Sequence, residues 1–264
     1  MFNSRIKKYS FILLINILSF SQLFSQEIKK GEVYSYARKI VDTMASESMH
    51  GRGYVNDGDK IAANYILTEF QKFGLRSFSQ NYYQKFSFPI NTLPGKMEVQ
   101  IGNQKLIPGK NFIVGSLASE NFKIKKRIHY RNKIKHDTSL NFDDFFICDT
   151  IGDESYPIRS TDNAVKFSAL IVDKLTFSIH GTKENNGIHL LIKRNSIIGF
   201  PRKIKLNIES KFIPKYESQN VIGYIPGSTY PDSFIVYSAH YDHLGQMGKN
   251  VYFPGANDNA SGCA

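Results

Sequence analysis

Two segments near the N-terminus of this sequence place their hydrophobic residues three and four positions apart. The first such set is Val33, Tyr36, Ala37, Ile40, Val41 and Met44, and the second is Ala62, Tyr65, Ile66, Phe70 and Phe73. This spacing puts each set on one face of an amphipathic helix. A polar loop separates them, in which Asp57 or Asp59 is expected to cap the second helix, and Gly74 is expected to end it.

From about residue 75 to residue 214 the pattern changes to short stretches of β-forming residues separated by Gly, Pro and Asn. The clearest predicted strands are residues 97–101, 145–148, 169–172 and 189–192, all of which are too short for helices. We therefore interpret residues 100–214 as a mostly β module, set into the chain between two parts of another domain.

A third pattern begins after Ser218. Residues 220–225 form a candidate strand, residues 226–228 a turn, and residues 234–239 a continuous apolar run. Such runs are typical of strands that are buried on both faces of a layered α/β sheet. The sequence therefore predicts a buried strand that ends immediately before His240.

Residues with metal-binding chemistry follow that predicted strand. In extended geometry the His240 imidazole and the Asp242 carboxylate point to the same side, at the sheet edge where open α/β folds bind ligands. Asp258 is the one charged residue in a turn at residues 255–262. An imidazole and a carboxylate suit zinc, and Asp242 is placed to accept the other ring N–H of His240. His243 is expected on the opposite side, as a hydrogen-bonding loop residue. The alternative to a metal site is a hydrogen-bonded His–Asp pair on the surface, beside an ordinary turn.

The first 25 residues have the pattern of a secretory signal peptide. Three basic residues, Arg5, Lys7 and Lys8, precede a short apolar stretch at residues 11–20 and a small residue, Ser25. The apolar stretch is much shorter than the roughly 20 residues that a membrane span needs. We expect a mature chain that starts near Gln26, is secreted or periplasmic, and has no stable membrane span.

Composition narrows the function classes. The chain of 264 residues is 41% hydrophobic with 20 Phe and 15 Tyr, which excludes a disordered protein, and its two cysteines, Cys148 and Cys263, exclude a disulfide scaffold. Whether the two cysteines pair stays open. The formal charge is +11, but the densest basic run, residues 123–133, partly alternates with apolar residues as an exposed strand would. Together with export, this argues against a nucleic-acid partner.

The sequence resembles a known enzyme family at both ends of the expected mature chain. Residues 238–245, SAHYDHLG, followed by residues 254–262, PGANDNASG, resemble the signature of family 28 of the metallopeptidases, which contains zinc aminopeptidases and glutamate carboxypeptidases. Residues 220–228 resemble the start of that family's catalytic sheet, and residues 51–53 and 73–75 its N-terminal portion. Residues 100–214 lie where many members carry an inserted protease-associated domain.

The resemblance implies a fold and a set of roles. The fold is α/β, a three-layer zinc-peptidase sheet with the inserted β module. His240 matches the first zinc-binding histidine, Asp258 the carboxylate that bridges two zinc ions, and Asp242 the acidic residue that orients His240. The family's catalytic glutamate and remaining ligands come after the Asp258 motif and do not occur before Ala264. We therefore expect an N-terminal fragment or truncated product that is inactive as it stands.

The expected function is that of an exported zinc-dependent exopeptidase, aminopeptidase-like, that acts on peptides or proteins. The expected domain layout is a signal peptide at 1–25, catalytic-domain segments at 26–99 and 215–264, and the insert at 100–214. Two alternatives on the same fold stay open: a glutaminyl cyclase-like enzyme and a non-catalytic binding or receptor module. An accidental match in a basic β-rich binding protein is the third.

Overall fold

The structure is a computed structural model that describes residues 30–78, 81–116, 120–130, 143–149, 166–181 and 187–264. The predicted signal peptide, residues 1–25, lies outside the described residues, as do residues 131–133 of the basic run. In the part of the chain that is described, no helix combines the length and the apolar character that a membrane crossing requires.

Both predicted helices are present. Helix α1 spans Lys30–Met44 and buries Ile40 and Met44, and helix α2 spans Gly58–Lys72. A 3-10 helical segment, Glu47–Arg52, lies between them. Gly74 has a φ of +70°, the left-handed conformation that glycine adopts at helix ends, which confirms the predicted stop.

The strands come next in the chain. Their bounds are β1 Tyr83–Thr92, β2 Met97–Ile101, β3 Gln104–Leu106, β4 Phe112–Ser116, β5 Phe122–Tyr130, β6 Phe145–Asp149, β7 Phe167–Val172, β8 Ile188–Lys193, β9 Lys203–Ile208, β10 Lys211–Val221, β11 Gln246–Met247 and β12 Val251–Tyr252. The chain then closes with a π-helical turn, Ala256–Ala260, and one helical turn, Ser261–Cys263. The four strands predicted from the sequence correspond to β2, β6, β7 and β8, so they are confirmed.

An eight-stranded mixed sheet contains most of the hydrophobic core. Its order is β3-β2-β9-β5-β6-β7-β8-β4, with β5 to β8 parallel and the other pairs antiparallel. Side chains such as Phe112, Phe145, Ile101 and Ile188 are fully buried in this core. Strand β5 lies inside the sheet, between β9 and β6, and alternates exposed basic residues with partly or fully buried apolar ones along most of its length, so one of its faces is exposed.

Strands β1 and β10 form a separate antiparallel ribbon that precedes and follows the eight-stranded sheet in the chain. Because β10 runs from Lys211 to Val221, it crosses residue 214, where the insert was expected to end. The division of the chain into domains therefore stays a prediction.

Neither Asp57 nor Asp59 caps α2 through its side chain, although one of them was expected to do so. Asp57 holds the N-cap position without a side-chain capping bond and pairs with Lys60 at 2.8 Å. Asp59 is buried in the first turn, where its carboxylate accepts hydrogen bonds from Tyr216 at 2.6 Å and Ser218 at 2.8 Å. Burial raises the pKa of Asp59 despite these bonds. Asp59 thus joins α2 to β10 instead of capping the helix.

The prediction of a buried strand at residues 234–239 is wrong. The segment forms no strand, and Ile235, Val236 and Tyr237 are 86%, 81% and 92% exposed. The preceding candidate strand also ends early, at Val221, and only a single bridge joins Tyr224 to Arg76. The physical reason is that an apolar run becomes a buried strand only when other elements pair with it and cover it. Among the described residues no strand pairs with residues 234–239.

Candidate metal site

The segment at residues 51–53 lies directly against the residues that follow His240. The backbone N–H of Gly245 donates to the Gly51 carbonyl, and that of His243 to the Arg52 carbonyl, both at 3.0 Å. A Cβ atom on Gly53 would lie 2.3 Å from the Gly245 Cα, so this approach requires glycine. The close contact explains why a Gly-Arg-Gly sequence near the N-terminus belongs to the candidate site.

Arg52 is the central connection between these segments. Its side chain is fully buried, and its guanidinium donates to five backbone carbonyls. The acceptors are Tyr241 at 2.7 Å from Nε, Met44 and Pro254 at 2.7 Å from Nη1, and Gly255 at 2.7 Å and Asp258 at 3.2 Å from Nη2. A single side chain therefore links the end of α1 to both loops that carry the predicted ligands.

The positive charge of Arg52 also affects its surroundings. Burial lowers the pKa of Arg52, while the nearby Cys263, Asp242 and Asp258 act in the opposite direction. Burial lowers the pKa of His243 as well, and Arg52 adds to this effect while Asp258 opposes it. A lowered pKa favours the neutral imidazole, the form of histidine that binds metals.

The two predicted ligands face each other. His240 Nε2 lies 3.3 Å from Asp258 Oδ1, and both side chains are more than half exposed to solvent. A zinc ion bound tetrahedrally to one nitrogen and one oxygen, at about 2.0 to 2.1 Å each, would separate those two atoms by about 3.4 Å. The spacing of this pair therefore fits two ligands of one zinc ion.

Asp242 lies behind His240. Nδ1 of His240 is 3.2 Å from the backbone carbonyl oxygen of Asp242 and 3.5 Å from its carboxylate Oδ1. Both neighbours are acceptors, so they would accept a proton on Nδ1 and leave the Nε2 lone pair free for a metal, whereas Asp258 Oδ1, 3.3 Å from Nε2, would accept a proton on that nitrogen. The sequence pointed to the carboxylate alone, whereas the backbone carbonyl is the nearer of the two.

His243 lies closer to the site than expected. Its Nδ1 is 3.5 Å from the second carboxylate oxygen of Asp258, although strand geometry placed it on the opposite side. That expectation was wrong because residues 240–245 do not form a strand. Within the described ranges, no group of three or more His, Cys, Asp or Glu side chains is arranged to hold one metal ion, so the donors around Asp258 form pairs.

The cysteines do not form a disulfide. Cys148 lies on β6, and Cys263 lies in the last helical turn, where its thiol donates to the His240 carbonyl at 3.4 Å. The contact attaches the last turn to the candidate site.

Two residues of the site were not predicted from the sequence. The hydrogen bonds from Arg52 to Tyr241 and from Tyr54 to Asp242 each join residues almost two hundred positions apart in the chain. The only signal in the sequence was the turn-rich Gly-Arg-Gly segment itself, which gives no direction for either side chain.

Comparisons with known proteins identify a matching family model and solved structures of similar fold. The family described as Peptidase family M28 matches residues 220–264. A zinc aminopeptidase from Bacillus subtilis has a similar structure, with a TM-score of 0.51 and 15% identity over 87% of this chain and 55% of that one. No match exists among curated proteins.

Two further solved structures are similar at lower scores. An aminopeptidase from Aneurinibacillus sp. strain AM-1 has a TM-score of 0.48 and 17% identity over 86% of this chain and 56% of that one. A Peptidase M28 precursor from Shewanella amazonensis has a TM-score of 0.45 and 14% identity, over 86% and 60%. The chain thus spans slightly more than half the length of these structures. The resemblance to peptidase family M28 is confirmed over residues 220–264, and the α/β fold of the chain is similar to that of a zinc aminopeptidase.

Proposed function

We propose that this chain supplies the first metal-ligand loops of an exported zinc-dependent exopeptidase of the aminopeptidase type. The observation that carries the proposal is the 3.3 Å spacing between His240 Nε2 and Asp258 Oδ1, within the segment that matches peptidase family M28. The fold similarity to a zinc aminopeptidase supports it. The substrate class is a peptide or protein, and the complete enzyme would use two zinc ions.

Each residue has a role that its contacts support. His240 would hold zinc through Nε2 and Asp258 through its carboxylate, while Asp242 would accept the proton that His240 then carries on Nδ1. Asp258 presents one oxygen toward His240 and the other toward His243, so a cation at either oxygen would lie beside a histidine nitrogen. Zinc, when bound, polarises a peptide carbonyl and lowers the pKa of a water molecule.

The pair formed by His240 and Asp258 also distinguishes an enzyme from a binding or receptor module. A binding or receptor module on the same fold has no need for an imidazole and a carboxylate at the spacing of zinc ligands. The presence of both His240 and Asp258 at that spacing therefore favours a metal-dependent enzyme over a binding module.

We further propose that the 264-residue chain is inactive by itself. A catalytic zinc ion takes about three protein ligands, and no group of three donors that could hold a metal occurs among the described residues. The purified chain, supplied with zinc, is expected to hydrolyse an aminoacyl p-nitroanilide no faster than zinc alone. Sustained turnover that disappears in a His240→Ala variant would contradict the proposed inactivity, while it would support the peptidase assignment.

Export is proposed from residues 1–25 and is supported by their basic start and short apolar stretch. N-terminal sequencing of the protein recovered outside the cytoplasm is expected to begin near Gln26. Recovery of the chain only inside the cell, with its first residues intact, would contradict export.

A further inference from the structure

We propose that Tyr54 is a positioning residue whose hydroxyl fixes the Asp242 carboxylate and, through it, the orientation of His240. The inference rests on the proposed function, because it concerns the imidazole that would hold zinc. No feature of the family resemblance assigned a role to Tyr54.

The contact itself is short and directional. The Tyr54 hydroxyl donates to Asp242 Oδ2 at 2.7 Å, while Oδ1 of the same carboxylate lies 3.5 Å from His240 Nδ1. Because a carboxylate is planar, a hydrogen bond that holds one oxygen also sets the direction of the other. Tyr54 therefore determines which way Oδ1 points.

The aromatic ring of Tyr54 is held in place by its neighbours. It makes edge contacts with Phe88 on β1 and Tyr216 on β10, with ring centroids 5.2 Å and 5.1 Å apart. Tyr216 is in turn fixed by its hydrogen bond to the buried Asp59. The ring is packed against the β1–β10 ribbon, so the position of its hydroxyl is set by the fold.

The backbone around Tyr54 is fastened to the same loop. Arg52 lies two residues before Tyr54. Its side-chain Nε donates to the carbonyl of Tyr241 at 2.7 Å, and its backbone carbonyl accepts from the N–H of His243 at 3.0 Å. Arg52 thus fixes the backbone on both sides of Asp242, and Tyr54 fixes its side chain. The two residues act on one short segment of chain from two directions.

The state of the hydroxyl agrees with this role. Burial raises the pKa of Tyr54, and the charge of Asp242 raises it further, so the hydroxyl stays protonated. A protonated phenol can donate to a carboxylate, which only accepts. The direction of the hydrogen bond is therefore fixed.

Loss of this hydroxyl has a specific consequence at His240. With Asp242 held, Nδ1 of His240 faces two acceptors of the same residue, which compete for the ring proton with the single acceptor at Nε2, Asp258 Oδ1 at 3.3 Å. Without the hydroxyl, the partly exposed carboxylate can rotate toward water, and one of the two acceptors is lost. The tautomer with the proton on Nε2 then gains population, and in that form Nε2 has no lone pair for a metal.

The experiment is a Tyr54→Phe substitution in the 264-residue chain, with ¹⁵N NMR of the His240 ring in the metal-free protein at about pH 8, where imidazoles are neutral. The Nε2-protonated fraction is expected to rise several-fold, and zinc affinity is expected to fall about tenfold, as for other residues that support a ligand. A His240→Ala variant assigns the signal. Tyr130→Phe is the matched control, because it removes a hydroxyl bonded to the Pro201 carbonyl at 2.9 Å in the distant sheet, and both readouts should keep their wild-type values.

A second background separates positioning from general packing. In an Asp242→Ala chain, Tyr54→Phe is expected to cause no further change in the His240 tautomer ratio, because the carboxylate through which it acts is gone. A purely structural effect of the hydroxyl would persist in that background, and this result would overturn the proposal.

Two other outcomes are informative in different ways. Wild-type tautomer ratio and zinc affinity in Tyr54→Phe would overturn the positioning role and leave the proposed function intact. Equal zinc binding by wild type and His240→Ala would instead remove the proposed function, whatever the tautomer ratio shows.

Discussion

Replacing Arg52 with methionine is expected to lower the free energy of unfolding by about 4 kcal/mol. Methionine keeps the aliphatic stem but removes a guanidinium that satisfies five buried or partly buried carbonyls. Hydrogen bonds to a charged donor contribute roughly 1.5–3 kcal/mol each, and acceptors left without a donor add a desolvation cost. Urea unfolding, followed by circular dichroism, measures the loss.

The matched control is Arg38→Met. Arg38 lies on α1, where it pairs with Asp42 at 3.2 Å with both side chains mostly exposed, and such pairs contribute little. Arg52→Lys provides an intermediate, because it keeps the charge but has three donors instead of a planar fork of five. We expect Arg38→Met to behave as wild type and Arg52→Lys to recover only part of the loss. Equal stabilities of the two methionine variants would contradict the account of Arg52.

The elements that the sequence predicted are those whose signal is local. The two helices and the strands β2, β6, β7 and β8 follow from the spacing of hydrophobic residues within each segment. Residues 234–239 carry the same kind of signal, yet they are exposed because the burial of a strand depends on what packs against it. Hydrophobicity alone shows that a segment is suited to burial, and its neighbours decide whether it is buried.

The candidate site was predictable in part for the same reason. His240, Asp242 and Asp258 lie within one short stretch, so a motif could identify them. Arg52 and Tyr54 reach that stretch from the other end of the chain, and no periodicity or spacing encodes such a contact. His243 was misplaced because the prediction assumed extended strand geometry at residues 240–245, which form no strand.

Substitution of either predicted ligand is expected to abolish zinc binding by the chain. In the wild type, His240 and Asp258 would supply one nitrogen and one carboxylate to a single ion, and weak binding is expected because the usual number of ligands is higher. His240→Ala leaves only Asp258 on that side, and Asp258→Asn removes the charge that attracts the cation. His180→Ala is the control, since His180 is bonded to Ser178 at 3.1 Å in a loop outside the site.

Calorimetric zinc titration of the purified wild-type chain and these three variants tests the central claim most directly. The account predicts that the wild type and His180→Ala bind one zinc ion weakly, and that His240→Ala and Asp258→Asn lose this binding. Zinc uptake that is unchanged by substitution of His240 or Asp258 would contradict the claim that these two residues form the beginning of a metal site.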